Sequence, residues 1–379
     1  MSSQKLNFEL ARRVVVKIGS NVLTENNGLN VKVIRSITGQ ICRLIDSGRE
    51  VILVSSGAMA SGVKKVGLSM RPDELPKRQA VAAVGQAGLI REYEKAFDRH
   101  HKKVAQILLT SEDLSNRKRY LNARNTMVTL LAWQVVPIVN ENDTVSVEEI
   151  QFGDNDNLAA MITLLMDADI LINLTDIEGL FDKDPRIHQD AELIPVVTAI
   201  NKNTEQFASE IAGALGTGGM MSKIRAARKV VSAGIPMVIA KGDRPGILTK
   251  IFSDNARGTF FVPRKEKLTS RKCWIAFSLK PQGVIEIDDG AAEAILKNGK
   301  SLLPSGIVAV EADFNIGAAV EFKNQKNEIL GIGLANYSAT DIRKIMGLKS
   351  NRIKAVLGHK SYDEVIHRDN LVITLDCMV

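Results

Sequence analysis

The stretch "VVVKIGSNVLT", residues 14–24, begins as an apolar, β-branched run too short for a helix and breaks into glycine, serine and asparagine. Consecutive valines favour an extended chain buried on both faces, and Gly19-Ser20-Asn21 then turns it. Five more runs repeat the pattern: "VILV" (51–54), "VAQILL" (104–109), "VVPIV" (135–139), "ILINL" (170–174) and "PMVIA" (236–240). Helical patterns separate them, which predicts an α/β fold with an open, mostly parallel sheet sandwiched by helices. Each run ends in a small, polar stretch, successively "GSN", "SSGAMASG", "TSED", "NENDT", "TDIEG" and "KGDRPG". Open α/β sheets bind ligands beyond the carboxyl ends of their strands, so the chemistry is expected along one edge.

The alternation fades after residue 246. The charged segment "PRKEKLTSRK" (263–272) reads as a linker, which gives a larger domain over 1–262 and a small, mainly β domain over 273–379. In the latter, short strand-like pieces alternate with glycine turns around one helical piece, "DDGAAEAILKNG". The chain has 379 residues and a net charge of +7. Residues 273–379 carry 12 Lys and Arg against 13 Asp and Glu, so the positive excess lies in the larger domain and points to anionic partners rather than to a nucleic-acid-reading tail. Three cysteines, Cys42, Cys273 and Cys377, and five histidines lack metal-ligand spacing, so no zinc site is expected and any metal should be oxygen-bound. No signal-like or membrane-length apolar run is present, and a cytoplasmic location is expected.

Several stretches carry candidate chemistry. Lys17 ends the first strand beside Gly19, where backbone N–H groups and an ammonium suit a phosphate. "GTGGMMSK" (216–223) places a glycine cluster before a helix with Lys223 in its opening turns, a position that opposes the helix dipole unless an anion binds there. It matches neither a Walker A loop nor a dinucleotide fingerprint. The run Asp154, Asn155, Asp156 and Asn157 precedes an apolar helix that needs only one cap. With Asp143 it suits an amino-acid zwitterion, and equally a magnesium ion held through water. Ser55 and Ser56 offer donors to a carboxylate, and no histidine stands ready to make either a nucleophile. Thr175 and Asp176 follow the fifth run and face the same edge.

Taken in order, "KIGSNVLT", "VSSGAMASG", "AAVGQ", "LNARNT", "NENDTVSVEEI", "FGDNDNLAA", "LTDIEGLFDKDPR" and "GTGGMMSK" resemble the glutamate 5-kinases of the amino acid kinase family. The tail from "DDGAAEAILKNGKSLLPSGI" onward resembles the PUA domain often fused to bacterial members. The resemblance implies ATP- and Mg2+-dependent phosphorylation of the L-glutamate γ-carboxylate, the first step of proline biosynthesis. It implies Lys17, Lys223 and Asp156 as the catalytic set, the acid orienting the two lysines with Asp154 as its possible partner in that task. Ser56, Asp143, Asn155 and Asp154 are implied for glutamate, and Lys17, Thr175, Asp176, Thr217, Gly218, Gly219, Met220, Met221, Ser222 and Lys223 for ATP. A homo-oligomer and feedback inhibition by proline are further implications. Asn21 stands where many members have serine, and Ser222 where many have threonine. Ala312 and Ala318 also depart from the usual tail.

Elementary chemistry agrees with that reading. A carboxylate with a reference pKa of about 4.3 is already a nucleophile at neutral pH, so no general base is required. The barrier is repulsion between two anions, which positioned cations relieve. Two other readings compete: an acyl-phosphate kinase for another amino acid, and an RNA-binding protein acting through the tail. Segment 66–88 is expected to form an interface or a cover over the acceptor site.

Overall fold

The structure, a computed structural model, describes residues 8–25, 28–146, 155–210, 219–253, 256–265 and 268–373. The chain divides into two compact units, Met1–Lys267 and Leu268–Val379. In chain order the first contains β1 (Arg13–Ile18), α1 (Ser20–Leu23), the hairpin β2 (Thr24–Glu25) and β3 (Gly28–Leu29), α2 (Val31–Asp46), β4 (Glu50–Ser55), α3 (Ala58–Val66), α4 (Leu75–Asp98), β5 (Lys103–Leu109), α5 (Ser111–Ser115), α6 (Arg117–Ala132), β6 (Val135–Glu141), α7 (Asn155–Leu165), β7 (Ile170–Thr175), β8 (Val196–Val197), α8 (Lys202–Glu210), α9 (Met220–Ser232), β9 (Met237–Lys241), α10 (Ile247–Phe252) and β10 (Gly258–Phe261).

All six apolar runs are strands of one sheet, ordered β5-β6-β4-β1-β7-β9-β10-β8. The six run parallel from β5 to β9. Sequence reasoning missed the two short edge strands. β10 pairs antiparallel with β9, and β8 pairs parallel with β10. At two and four residues they are too brief to show a period.

The chain leaves β1 for β4 on one side and later returns to β7 on the other, so the order reverses at β1. Open parallel sheets place ligands at such a switch point. Along β1, Val14, Val16 and Ile18 join Ile170, Ile172 and Leu174 of β7 in one core cluster, together with Ile34, Ile37 and Ile41 of α2 and Leu89, Tyr93 and Phe97 of α4. Side chains alternate across a strand, so Lys17 and Asn173 point to the opposite face, where α7 and α9 lie. α7 is buried from Leu158 to Leu165, which is why its sequence is apolar all round.

Helices α3 and α4 meet through glycine. A Cβ on Gly62 would stand 1.9 Å from the Val81 carbonyl oxygen, and one on Gly85 1.7 Å from that of Ala58. Their backbones therefore touch, which fixes the segment between them, 67–74, beside the carboxyl end of β4.

The second unit contains α11 (Ser270–Ser278), β11 (Gly283–Ile287), α12 (Asp289–Asn298), β12 (Ile307–Glu311), β13 (Ala319–Lys323), β14 (Ile329–Leu334), α13 (Ala339–Ile345), α14 (Ile353–Leu357) and β15 (Leu371–Ile373). Its sheet runs β12-β11-β13-β14-β15, antiparallel except for β11 with β13. The expected linker ended at 272, but Ser270, Arg271 and Lys272 already form the first turn of α11, capped by Thr269. Three helices join the single one expected here. α11 and α13 are short and start on side-chain caps, Thr269 and Ser338, that a search for long periodic patterns passes over.

Candidate active site

Lys17 stands next to last in β1 and is 4% exposed, too deep for a lysine without an anion. The anion is Asp156, in the first turn of α7 and fully buried. Lys17 Nζ donates a hydrogen bond to Asp156 Oδ1, and Lys223 Nζ of α9 donates to Oδ2 at 3.0 Å. Two neutral groups complete the shell: Asn173 Nδ2 donates to Oδ1 at 2.8 Å and Ser222 Oγ to Oδ2 at 2.6 Å. Burial by itself raises the pKa of Asp156, but the charges of Lys17 and Lys223 and the bonds from Lys17 and Ser222 outweigh it and hold the carboxyl below the ordinary carboxylate range. One carboxylate thus holds two ammonium groups.

Backbone donors surround these cations. α9 starts at Gly219, in extended conformation and without a side-chain cap; Ser222 N–H donates to Gly219 O at 3.2 Å, and the N–H groups that open the helix before it are the ones a helix start offers to an anion. The Gly19 N–H, expected to face a phosphate, instead donates to Leu174 O at 2.9 Å; what the glycine provides is room, since a Cβ there would come within 3.7 Å of Lys17 Nζ. Asn21 Nδ2 donates to Asp176 Oδ2 at 2.9 Å and Thr175 Oγ1 to Asp176 Oδ1 at 3.0 Å, which ties the turns after β1 and β7 together. Partial enclosure raises the pKa of Asp176, yet these bonds prevail and lower it.

Lys17, Lys223, Thr175 and Asp176 line one cleft with Ser56, Asn140, Asp143 and Asn155. Gly57, at φ +96°, turns the chain from β4 into α3 and presents Ser56 to the cleft. Asn155 Nδ2 reaches Ser55 O at 2.7 Å, Ser56 Oγ at 2.9 Å and Asn140 Oδ1 at 2.9 Å, bracing β4, β6 and α7. Half-buried Asp143 is pushed up to about 6 by burial and by neighbouring Glu141, against the opposing pull of Arg71. A carboxylate under such strain is relieved by an incoming cation.

The expected residues are therefore largely brought together. Lys17 and Lys223, 206 positions apart, share one carboxylate rather than facing separate cavities. The polar run was expected to precede the helix, but Asn155, Asp156 and Asn157 form the first turn of α7: Asn155 braces the pocket, Asp156 holds the lysines, and Asn157 accepts from Lys229 Nζ at 2.5 Å, docking α7 on α9. Asp154, Thr217 and Gly218 lie outside the described residues. Met220 is 3% exposed and belongs to the core, so only its backbone is available to a ligand, and Met221 does not line the cleft. Ser55, read as a carboxylate donor, turns its hydroxyl to Tyr93 at 2.9 Å instead. Sequence reasoning missed Asn173, although a lone amide inside an apolar strand is a visible signal, and missed Arg71, Arg78 and Gln79, which line the cleft from segment 66–88.

Residues 12–241 match the amino acid kinase family, and residues 283–357 match the PUA domain. The glutamate 5-kinase of Syntrophus aciditrophicus is 51% identical over 96% of this chain and 94% of its own. That of Caldanaerobacter subterraneus is 49% identical over 95% and 97%. The chain belongs to the glutamate 5-kinase family, within the amino acid kinases. A relative from Pelobacter propionicus with the same name is 48% identical over 97% of this chain and 98% of its own. Among solved structures, carbamate kinase from Giardia lamblia bound to AMP-PNP is similar, with a TM-score of 0.49 and 16% identity over 68% of this chain and 100% of that one.

Proposed function

We propose that this chain transfers the γ-phosphoryl group of ATP to the γ-carboxylate of L-glutamate, giving γ-glutamyl phosphate, the first step of proline biosynthesis. The observation that carries the reading is the pair of buried lysines held by one carboxylate at the sheet's switch point, beside a pocket of hydroxyl, amide and acid. In the reaction a carboxylate oxygen forms a bond to the γ-phosphorus while the bond to the bridging oxygen of ADP breaks. ADP leaves with the electron pair, and no proton is removed, because the acceptor is already ionised.

Lys17 and Lys223 meet the charge on the transferring group, and Asp156 keeps both aimed at one place. Gly219 and Ser222 at the start of α9, with Thr175 and Asp176 and the neighbouring Thr217 and Gly218, form the nucleotide side. On the acceptor side the Asp143 carboxylate takes the glutamate ammonium, and Ser56 and Asn155, with Asp154, supply the remaining polar contacts. Among the described residues no cluster of acids, histidines or cysteines could hold a metal unaided. That fits a magnesium ion carried in on the nucleotide's phosphates, with Asp176 as the acid nearest the nucleotide side; Asp156, filled by four donors, has no oxygen to spare. Such an ion, when bound, would neutralise phosphate charge. Among the described residues no helix is long and apolar enough to cross a membrane, and a cytoplasmic location is part of the proposal. Feedback inhibition by proline, which carries the same ammonium and carboxylate as glutamate, and assembly into a homo-oligomer belong to it as well.

The test is a panel of amino acids with ATP, Mg2+ and hydroxylamine, which traps an acyl phosphate as its hydroxamate. Hydroxamate formed from L-glutamate in preference to aspartate, N-acetylglutamate and other carboxylates is the expected result. Preference for a different acceptor, or ADP release without hydroxamate, overturns the reading.

A further inference from the structure

Asn173 is chemically out of place in its strand. β7, "ILINLT", is buried at every position, and strands covered on both faces are built from valine, isoleucine and leucine. An amide there gives up its water and needs a partner. Its Nδ2 has one in Asp156 Oδ1 at 2.8 Å, whereas its Oδ1 is buried with no hydrogen-bond partner among the described residues. The bond to Asp156 is therefore what accounts for the residue. Lys17 is the register partner of Asn173 on neighbouring β1, so the two side chains leave the sheet on one face and meet at the same oxygen. The other oxygen is served in the same way, by the Lys223 ammonium at 3.0 Å and the Ser222 hydroxyl at 2.6 Å. Each oxygen of Asp156 takes one cation and one neutral donor, which fills its roughly four acceptor sites.

From this pairing we propose that Asn173 is a positioning residue for phosphoryl transfer, holding Asp156 Oδ1 so that Lys17 is aimed by the carboxylate without being locked to it. The inference rests on the kinase reading above. A buried carboxylate deprived of one donor draws its remaining cation closer, and a lysine so drawn shares its charge with Asp156 instead of with the migrating group. A neutral amide prevents this without adding charge of its own, as Ser222 does for Lys223. Because positive charge is needed most in the transition state, the effect belongs to kcat rather than to substrate affinity.

The experiment compares Asn173→Leu, which keeps the size and removes the donor, with the wild-type chain in the hydroxamate assay, and repeats the substitution in an Asp156→Asn background. Expected are a fall in kcat of about tenfold, the scale of one hydrogen bond to a charged group, a glutamate KM within twofold of wild type, and less than a twofold further loss in the Asp156→Asn background. A residue with only a packing role would lower thermal stability while leaving kcat intact, or would add its full effect to that of Asp156→Asn; either result overturns the proposal. Should Asn173→Leu fail to fold, Asn173→Ser removes the amide with a small polar side chain and is held to the same three outcomes. If the wild-type chain forms no glutamyl hydroxamate, the kinase reading falls and takes this inference with it; if it does and the substitution is silent, only the assignment of Asn173 falls.

Discussion

Lys223 is buried, bonded to Asp156 and placed in the second turn of α9, where a cation is repelled by the helix dipole. Asp156 offsets part of that cost and a bound polyanion offsets more, so Lys223→Ala is expected to lower kcat by about 10²- to 10³-fold, equivalent to about 3–4 kcal/mol of transition-state stabilisation. Its KM values for ATP and glutamate should change by far less, and steady-state kinetics separate the two. Asp143 has the opposite character. Its carboxyl has a value of about 6 in the native chain against 3.8 as a free side chain. Between those pH values the folded protein keeps a proton that the unfolded chain has released, so the group's contribution to stability is lost as pH rises through about 6. The ionised form is the one that pairs with an ammonium. The pH profile of kcat/KM for glutamate should therefore show an acid limb with its midpoint near 6, absent in Asp143→Asn, which should also raise the glutamate KM. An Asp143→Asn profile with the limb intact would assign that titration elsewhere. Both residues were legible in the sequence, Asp143 from the polar cluster after its strand and Lys223 from the glycine cluster before its helix. Asn173 left a visible signal, a lone amide in an apolar run, but not its role, because its partner lies 17 positions upstream on a helix and only the fold brings the two together.

At the scale of elements, the six long strands and their order of polar ends could be read directly, since a doubly buried strand leaves an uninterrupted apolar run. What could not be read was how α3 and α4 cross. Their contact is made by the absence of side chains at Gly62 and Gly85, and a missing group leaves little periodic trace. Gly85→Ala is expected to push the helices apart and destabilise the fold by about 1–3 kcal/mol, the usual cost of overpacking. Thermal denaturation would register it as a drop of several degrees. Because Arg71, Arg78 and Gln79 line the cleft from the segment and the helix that follow α3, the same variant should weaken glutamate binding more than ATP binding. Equal losses for both substrates would mean that the crossing does not set the acceptor side. Segment 66–88 was expected to form an interface or a cover, and Arg71, Leu75, Arg78 and Gln79 from it line the cleft.

At the scale of the whole molecule, every described residue of the cleft belongs to Met1–Lys267. A chain ending at residue 267 is accordingly expected to keep kcat within about threefold in the hydroxamate assay, a small part of the activation barrier; loss of activity from a folded fragment would give the PUA unit a share in the chemistry. The balance of charges in residues 273–379 was legible by counting and bears on the same unit. Phosphate neutralisation supplies most nucleic-acid affinity, so the full chain is expected to cause no salt-sensitive RNA mobility shift through that end.

The single acid between two lysines has a consequence for the empty enzyme. Two ammonium groups sharing one carboxylate at the start of α9 concentrate positive charge in one corner of the cleft, so that corner is an attractive place for a compact oxyanion even though Asp176 lines the same cleft. Sulfate and inorganic phosphate should act as competitors of ATP rather than of glutamate, and enzyme assayed in such buffers would look slower than it is.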